Sequence, residues 1–175
     1  SASSITFPTF FTGDERFVKI SGEAYFEVKS ITTATGKFPF VVEAESERIT
    51  VLGTHFNINA YTDEETVRTT LVEGTVKVSN ANGSILIKPG EQAMKLKGAS
   101  TYNVIRPDME EVLAWKNGKF IFKNTSAKSI MLQLSRWYDI DIKYKNDLSG
   151  INFSGGLSRK DEIEKLVEIL ELDGR

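Results

Sequence analysis

At 175 residues, 40% of them hydrophobic and 26% charged, the chain has room for one medium domain or two small ones. A net charge of −2 argues against a nucleic-acid binder, because Lys116, Lys119, Lys123 and Lys128 are interspersed with acids and form no basic stripe to neutralise phosphates. Zero cysteines exclude a disulfide framework, a thiolate zinc site and a cysteine nucleophile, and no run approaches the ~18 apolar residues of a membrane span.

The chain opens Ser1-Ala2-Ser3-Ser4, without Met and without a signal-peptide pattern, and so reads as a piece of a longer protein. From Phe7 to about Ile105 it consists of short alternating runs punctuated by turn signals. The clearest run is Phe17 to Lys29. Val18, Ile20, Ala24, Phe26 and Val28 share one parity, while Lys19, Ser21, Glu23, Glu27 and Lys29 take the other. A period of two predicts a half-buried strand, and Gly22 on its apolar side marks a bulge or a close backbone approach.

Further strands are predicted at Phe40–Ala44, Ile49–Leu52, Phe56–Tyr61, Thr70–Ser79, Ser84–Lys88 and Gln92–Leu96. Asn82-Gly83 offers the positive φ values of a tight hairpin, and Pro89-Gly90 suits the centre of a type II turn. Ile20-Ser21-Gly22, Val51-Leu52-Gly53 and Val72-Glu73-Gly74 form a weak, unevenly spaced repeat, which stacked solenoid rungs and convergent strand chemistry both produce. The expected fold of residues 1–106 is all-β, a sandwich or a short β-solenoid.

The pattern changes at Arg106-Pro107, and residues 107–175 read as a second, small α+β domain. Asp108 to Trp115 predicts a short helical turn, and Lys119–Lys123 a strand. Ala127, Ile130, Leu134 and Trp137 then fall on one face of a helix capped by Thr125 or Ser126, which places Trp137 in the core. Asp139–Lys145 alternates Ile140, Ile142 and Tyr144 as a strand, and Ile151–Ser154 suggests another. Ser158-Arg159-Lys160-Asp161 has capping-box spacing before a stripe of Ile163, Leu166, Val167 and Leu170, with Gly174 as a C-cap. The order is β-α-β-β-α.

Catalytic chemistry finds little support. His55 is the single histidine, and strand parity puts it opposite Phe56 and Ile58 on the polar face, away from any nucleophile. The acids at Asp63-Glu64-Glu65, Asp108/Glu110/Glu111 and Asp139/Asp141 are each explained by a turn, a helix start or solvation. Gly155-Gly156 lacks the Lys-Ser/Thr continuation of a phosphate loop. No enzyme, cofactor or metal is expected. A carbohydrate-binding β module remains the alternative, with Tyr25 or Tyr61 as strand aromatics, and Tyr138 is the aromatic residue best placed to meet a protein partner.

Several phrases, in order, resemble the periplasmic region of FecR-like anti-sigma factors of the Bacteroidetes type. They are Ile20 to Val28, Pro39-Phe40-Val41-Val42, Val51 to Asn57, Leu71 to Val76, Leu86 to Ala93, Trp115 to Gly118, Leu134 to Tyr138, and Phe153-Ser154-Gly155. The resemblance implies a FecR domain followed by a domain related to the short N-terminal module of secretins and TonB-dependent transporters, with the chain trimmed at both ends. It also implies a periplasmic part of a single-pass inner-membrane protein. Its partner would be the N-terminal signalling domain of a SusC-like, TonB-dependent outer-membrane transporter. An extracytoplasmic-function sigma factor would be bound only through a cytoplasmic segment missing here. Strand addition would suit such a contact, and the candidate edges are Lys119, Phe120, Ile121 and Phe122, or Ile151, Asn152, Phe153 and Ser154.

Overall fold

The computed structural model describes residues 2–163, divided into one unit of residues 3–107 and a second from Asp108 onward. The first unit contains β1 (Ser4–Thr6), β2 (Arg16–Val28), β3 (Thr32–Thr33), β4 (Gly36–Lys37), β5 (Phe40–Ala44), β6 (Glu47–Val51), β7 (Thr54–Ala60), β8 (Thr66–Glu73), β9 (Val76–Asn80), β10 (Gly83–Ile87), β11 (Gln92–Leu96) and β12 (Asn103–Ile105). The second contains α1 (Met109–Leu113), β13 (Lys119–Ser126), α2 (Ala127–Tyr138) and β14 (Asn152–Ser158).

The alternation along residues 16–28 yields one long strand that serves two sheets. The first half of β2 pairs antiparallel with β1 and parallel with β5; its second half pairs antiparallel with β7, from Gly22↔Ala60 to Val28↔Thr54. The change of sheet falls at Gly22, where φ is 91° and an added Cβ would lie 2.5 Å from Ser3 Oγ. A side chain there meets both strain and a neighbour, so glycine makes the corner. One sheet then runs β10-β9-β6-β5-β2 and the other β2-β7-β8-β11-β12, nearly closing into a barrel.

Both sheets turn their apolar parity inward onto one core. Val18, Ile20, Val42, Ile49 and Val78 come from the first sheet; Phe56, Ile58, Val67, Leu71 and Ala93 come from the second. Each large side chain removed from water contributes about 1.5–3 kcal/mol, so this shared core is what joins the layers.

Three local expectations are corrected here. The run Thr70–Ser79 is not one strand, because Gly74 breaks it into β8 and β9, which belong to different sheets. The glycine-marked repeat is not a stack of solenoid rungs, which would lie parallel: among the strand pairs of this unit only β2 with β5 is parallel. Instead each repeat glycine sits where another segment crosses closely, Gly22 against Ser3, Gly53 against Ser30 and Gly74 against Gly53 and Thr54. The β9–β10 hairpin pairs Asn80 with Gly83, so its tip is Ala81-Asn82, and Asn82 N donates to Asn80 Oδ1 at 2.7 Å. An Asx turn replaces the positive φ expected at Asn82, while Gly83 keeps one at 152°. Pro89-Gly90 does make the expected turn, with Gly90 at φ 81° and Glu91 N donating to Lys88 O.

Arg16 opens β2 on the buried parity. Its guanidinium stands 5.8 Å from the Phe38 ring centroid and 5.5 Å from that of Phe40, and donates to Lys29 O at 3.2 Å and Phe38 O at 3.0 Å. It thus ties both ends of the 30–38 excursion that carries β3 and β4. Arg16→Met keeps the aliphatic stem but strands two carbonyls, and should cost about 1–3 kcal/mol of first-unit stability. Limited proteolysis should then cut within residues 30–38 first; unchanged melting and cleavage would contradict this role.

The second unit packs α2 on β13 and β14. Ser126 caps α2, its Oγ accepting from Ser129 N, and Asp139 closes the helix in the left-handed conformation. Ala127, Ile130 and Leu134 are buried on one face, and Ile130 and Leu134 meet Phe120 and Phe122 of β13. Strand β13 extends past Lys123 through an irregularity between Phe122 and Thr125, with Asn124 at φ 54°. Asp139–Lys145 is not a strand: it has no ladder partner among the described residues, although Ile142 packs on the core. Trp137 is 44% exposed rather than buried. Ser158 ends β14, and its Oγ accepts from Lys160 N at 3.2 Å. The helix stripe at Leu166, Val167 and Leu170, with Gly174, lies outside the described residues.

Candidate functional site

The two segments expected as alternative docking edges are partners of each other. In the β13–β14 ladder Lys119 faces Ser158, Phe120 faces Leu157, Ile121 faces Gly156, Phe122 faces Gly155, Thr125 faces Phe153 and Ser126 faces Asn152. Alternation divides their side chains. Phe120 and Phe122 are 1% and 3% exposed and belong to the core, so neither ring is available to a partner. Phe153 packs on the same cluster from β14. Ile121 and Lys119 take the opposite parity, toward the other face of the ladder.

The remaining candidates have local duties. Ile151 lies just before β14, exposed, and its carbonyl accepts from Ala127 N at the start of α2. Ser154 Oγ accepts from Asn124 N at 2.8 Å and fixes the β13 irregularity. Tyr138 packs on the cluster and its hydroxyl donates to Asp161 O at 2.6 Å. Its role in this unit is therefore partly architectural.

Along the ladder runs a groove of about 870 Å³, bordered by Glu110, Lys119, Ile121, Gly155, Gly156 and Lys160. Gly155 and Gly156 lie mid-strand with no positive φ, and among the described residues an added Cβ would meet nothing within 4 Å at Gly155 and only Phe120 O at 3.8 Å at Gly156. Glycine weakens a strand interior, so a strand that has room for side chains yet carries two glycines leaves its backbone open to close approach.

At one end of the ladder Arg159 packs over the core side. Its guanidinium stands 4.4 Å from the Phe120 ring centroid and 4.8 Å from that of Trp137, and Nε donates to Lys119 O. Trp137 Nε1 donates in turn to Arg159 O at 2.9 Å. At the other end Lys123 pairs with Asp108, the α1 cap. That hydrogen bond, followed by the one from Glu111 N, holds the exposed Asp108 carboxyl below its ordinary range and raises Lys123. Sequence reasoning missed Arg159 and weighed Gly155-Gly156 only as a phosphate loop. Two adjacent glycines directly after the predicted strand Ile151–Ser154, which the structure carries on to Ser158, were the available signal.

The residues weighed for catalysis or sugar binding have local partners. His55 Nδ1 lies 3.3 Å from Glu73 Oε2, its cross-strand partner on β8. Glu64 pairs with Arg68, and Tyr61 Oη lies 3.2 Å from Ser3 Oγ. No helix among the described residues is long and apolar enough to cross a membrane.

The family model described as FecR protein matches residues 1–77, and the one described as FecR, C-terminal, matches residues 119–175, the stretch that opens with β13. Two crystal structures of a protein assigned as an anti-sigma factor from Parabacteroides distasonis superpose with a TM-score of 0.83 each. They are 26% and 25% identical, and the match covers 98% of this chain and 80% and 78% of theirs. A search of curated proteins found no match. With both halves of the family signature in order on a matching fold, the chain belongs to the FecR-like anti-sigma factors, a family of membrane-anchored signalling regulators.

Proposed function

We propose that this chain is the periplasmic relay region of a single-pass anti-sigma factor, and that its second unit docks the N-terminal signalling domain of a TonB-dependent, SusC-like outer-membrane transporter. Docking would control an extracytoplasmic-function sigma factor held by a cytoplasmic segment of the full-length protein. The observation that carries this reading is the open groove along β13 and β14, floored by two glycines that the strand itself does not require. Main-chain contacts supply affinity in strand-type recognition, and pockets for alternate side chains supply specificity; Ile121 and the lysines at the border are placed for the second task.

Gly156→Val separates docking from folding. The new side chain enters open space on the groove side, and valine favours a strand, so the melting of the unit should hold or rise slightly. Affinity for the transporter's signalling domain, measured by calorimetry on the two purified proteins, should fall at least tenfold, about 1.4 kcal/mol. Unchanged affinity in a folded Gly156→Val protein would move the docking site elsewhere.

A further inference from the structure

In the first unit, one pair of charges is buried that the docking reading does not use. Glu47 begins β6 on the inward parity of Ile49 and Val51; Lys95 lies on β11 with the inward parity of Ala93. The two strands belong to different sheets, and the side chains meet across the core, 2% and 3% exposed, with Lys95 Nζ 3.7 Å from Glu47 Oε1. That separation is beyond a hydrogen bond, and Oε1 has no other partner.

Stability does not explain such a pair. Two desolvated ions at a mediocre distance recover little of their hydration, and apolar side chains of similar volume would serve as well or better. The groups around the pair are few. Ser46 Oγ lies 3.4 Å from Lys95 Nζ. The neighbouring cation, Lys97, is engaged by Tyr61 O and Thr62 O at 2.8 Å and by Glu45 at 3.7 Å. On β6 the next charge, Arg48, turns outward to Glu15. Tyr102 also feels the pair: burial together with the Glu47 charge pushes its hydroxyl up to about 12. Among the described residues, Lys95 is the cation paired with the Glu47 carboxylate.

We propose that Glu47 and Lys95 form a proton-sensitive joint between the two sheets, more stable in mild acid than at slightly alkaline pH. Desolvation pushes the Glu47 carboxyl up to about 7, with the Lys95 charge opposing it. A carboxyl raised on folding means that the folded state holds the proton more tightly than the unfolded chain. Its contribution is fully present below the unfolded value, about 4.5, and is lost as pH rises through about 7. The joint stands independently of the docking proposal; in a periplasmic relay region it would make the first unit responsive to external acidity.

The test uses the whole chain. In protein carrying ¹³C at glutamate carboxyls, the Glu47 resonance should titrate with a midpoint near 7. First-unit melting in the wild type should fall between about pH 5 and about pH 8 relative to Glu47→Gln/Lys95→Met, in which the dependence should vanish. His55 is present in both proteins and cancels in the comparison. A Glu47 midpoint in the ordinary carboxylate range, or equal pH profiles in the two proteins, would overturn the proposal. The carboxyl titration needs only wild-type protein, so it decides the matter even if a variant fails to fold.

Discussion

Gly74→Ala should be the most damaging methyl group that can be added to the first unit, lowering its stability by about 2–5 kcal/mol. Two costs combine. Gly74 has φ 95°, where an L side chain brings Cβ against its own backbone at about 1–2 kcal/mol. The added Cβ would also lie 2.6 Å from Gly53 O and 3.1 Å from Thr54 Cα. Those are backbone atoms entering β7, and Thr54 is itself buried and donates to Thr75 O. The neighbour cannot rotate away, so overpacking adds about 1–3 kcal/mol.

Two other glycines calibrate the effect. Gly36 has φ 120° with open space around it, so Gly36→Ala isolates the conformational part and should cost about 1–2 kcal/mol. Gly22→Ala meets Ser3, but β1 is a three-residue exposed edge strand that is able to peel away. Its cost should fall between the other two, with loss of the Ser3–Tyr61 contact. Urea unfolding of the three variants gives the order; Gly74→Ala no worse than Gly36→Ala would remove the backbone clash from the account.

These glycines also show what the sequence makes legible. The alternation of Val18, Ile20, Ala24, Phe26 and Val28 gave strand β2 and its buried face directly, because parity is a local property. Gly22 announced a close approach for the same reason. The sequence did not show that the approaching residue is Ser3, or that the strand changes sheets there, because both depend on pairing between segments far apart. Thr70–Ser79 reads as continuous strand on propensity, and the break at Gly74 appears only when β8 and β9 enter different sheets. Asp139–Lys145 fails for a related reason. It alternates correctly, but a strand exists through its ladder, and alternation carries no information about a partner.

The β13–β14 ladder was half legible. Both segments were expected as strands, yet their pairing with each other was not, and that pairing consigns Phe120 and Phe122 to the core. Arg159 escaped notice because its work is done by stacking on Phe120 and Trp137, which are 39 and 22 positions away in the sequence. Trp137 itself was assigned to the core by helical period. Its half-exposed position follows from sitting at the last turn of α2, where the helix runs past Phe120 and the ring meets it edge-on at 6.5 Å.

Phe120→Ala should unfold the second unit and leave the first intact. Among the described residues the cluster has four buried members, Phe120, Phe122, Ile130 and Leu134, against fifteen in the first unit, so one deletion removes a large share of it. Phe120 also stacks on Phe122 at 5.9 Å, meets Trp137 edge-on and underlies the Arg159 guanidinium. Truncating a buried Phe costs about 3–5 kcal/mol, as much as a core this small supplies in total. Calorimetry should show the first-unit transition retained and the second lost, and tryptophan emission should shift red as Trp115 and Trp137 become solvated. On the docking proposal, transporter binding should vanish with the fold, whereas Gly156→Val should weaken it at least tenfold in a folded unit. If Phe120→Ala instead binds normally, the docking surface does not depend on the β13–β14 ladder, and the reading of the groove fails with it.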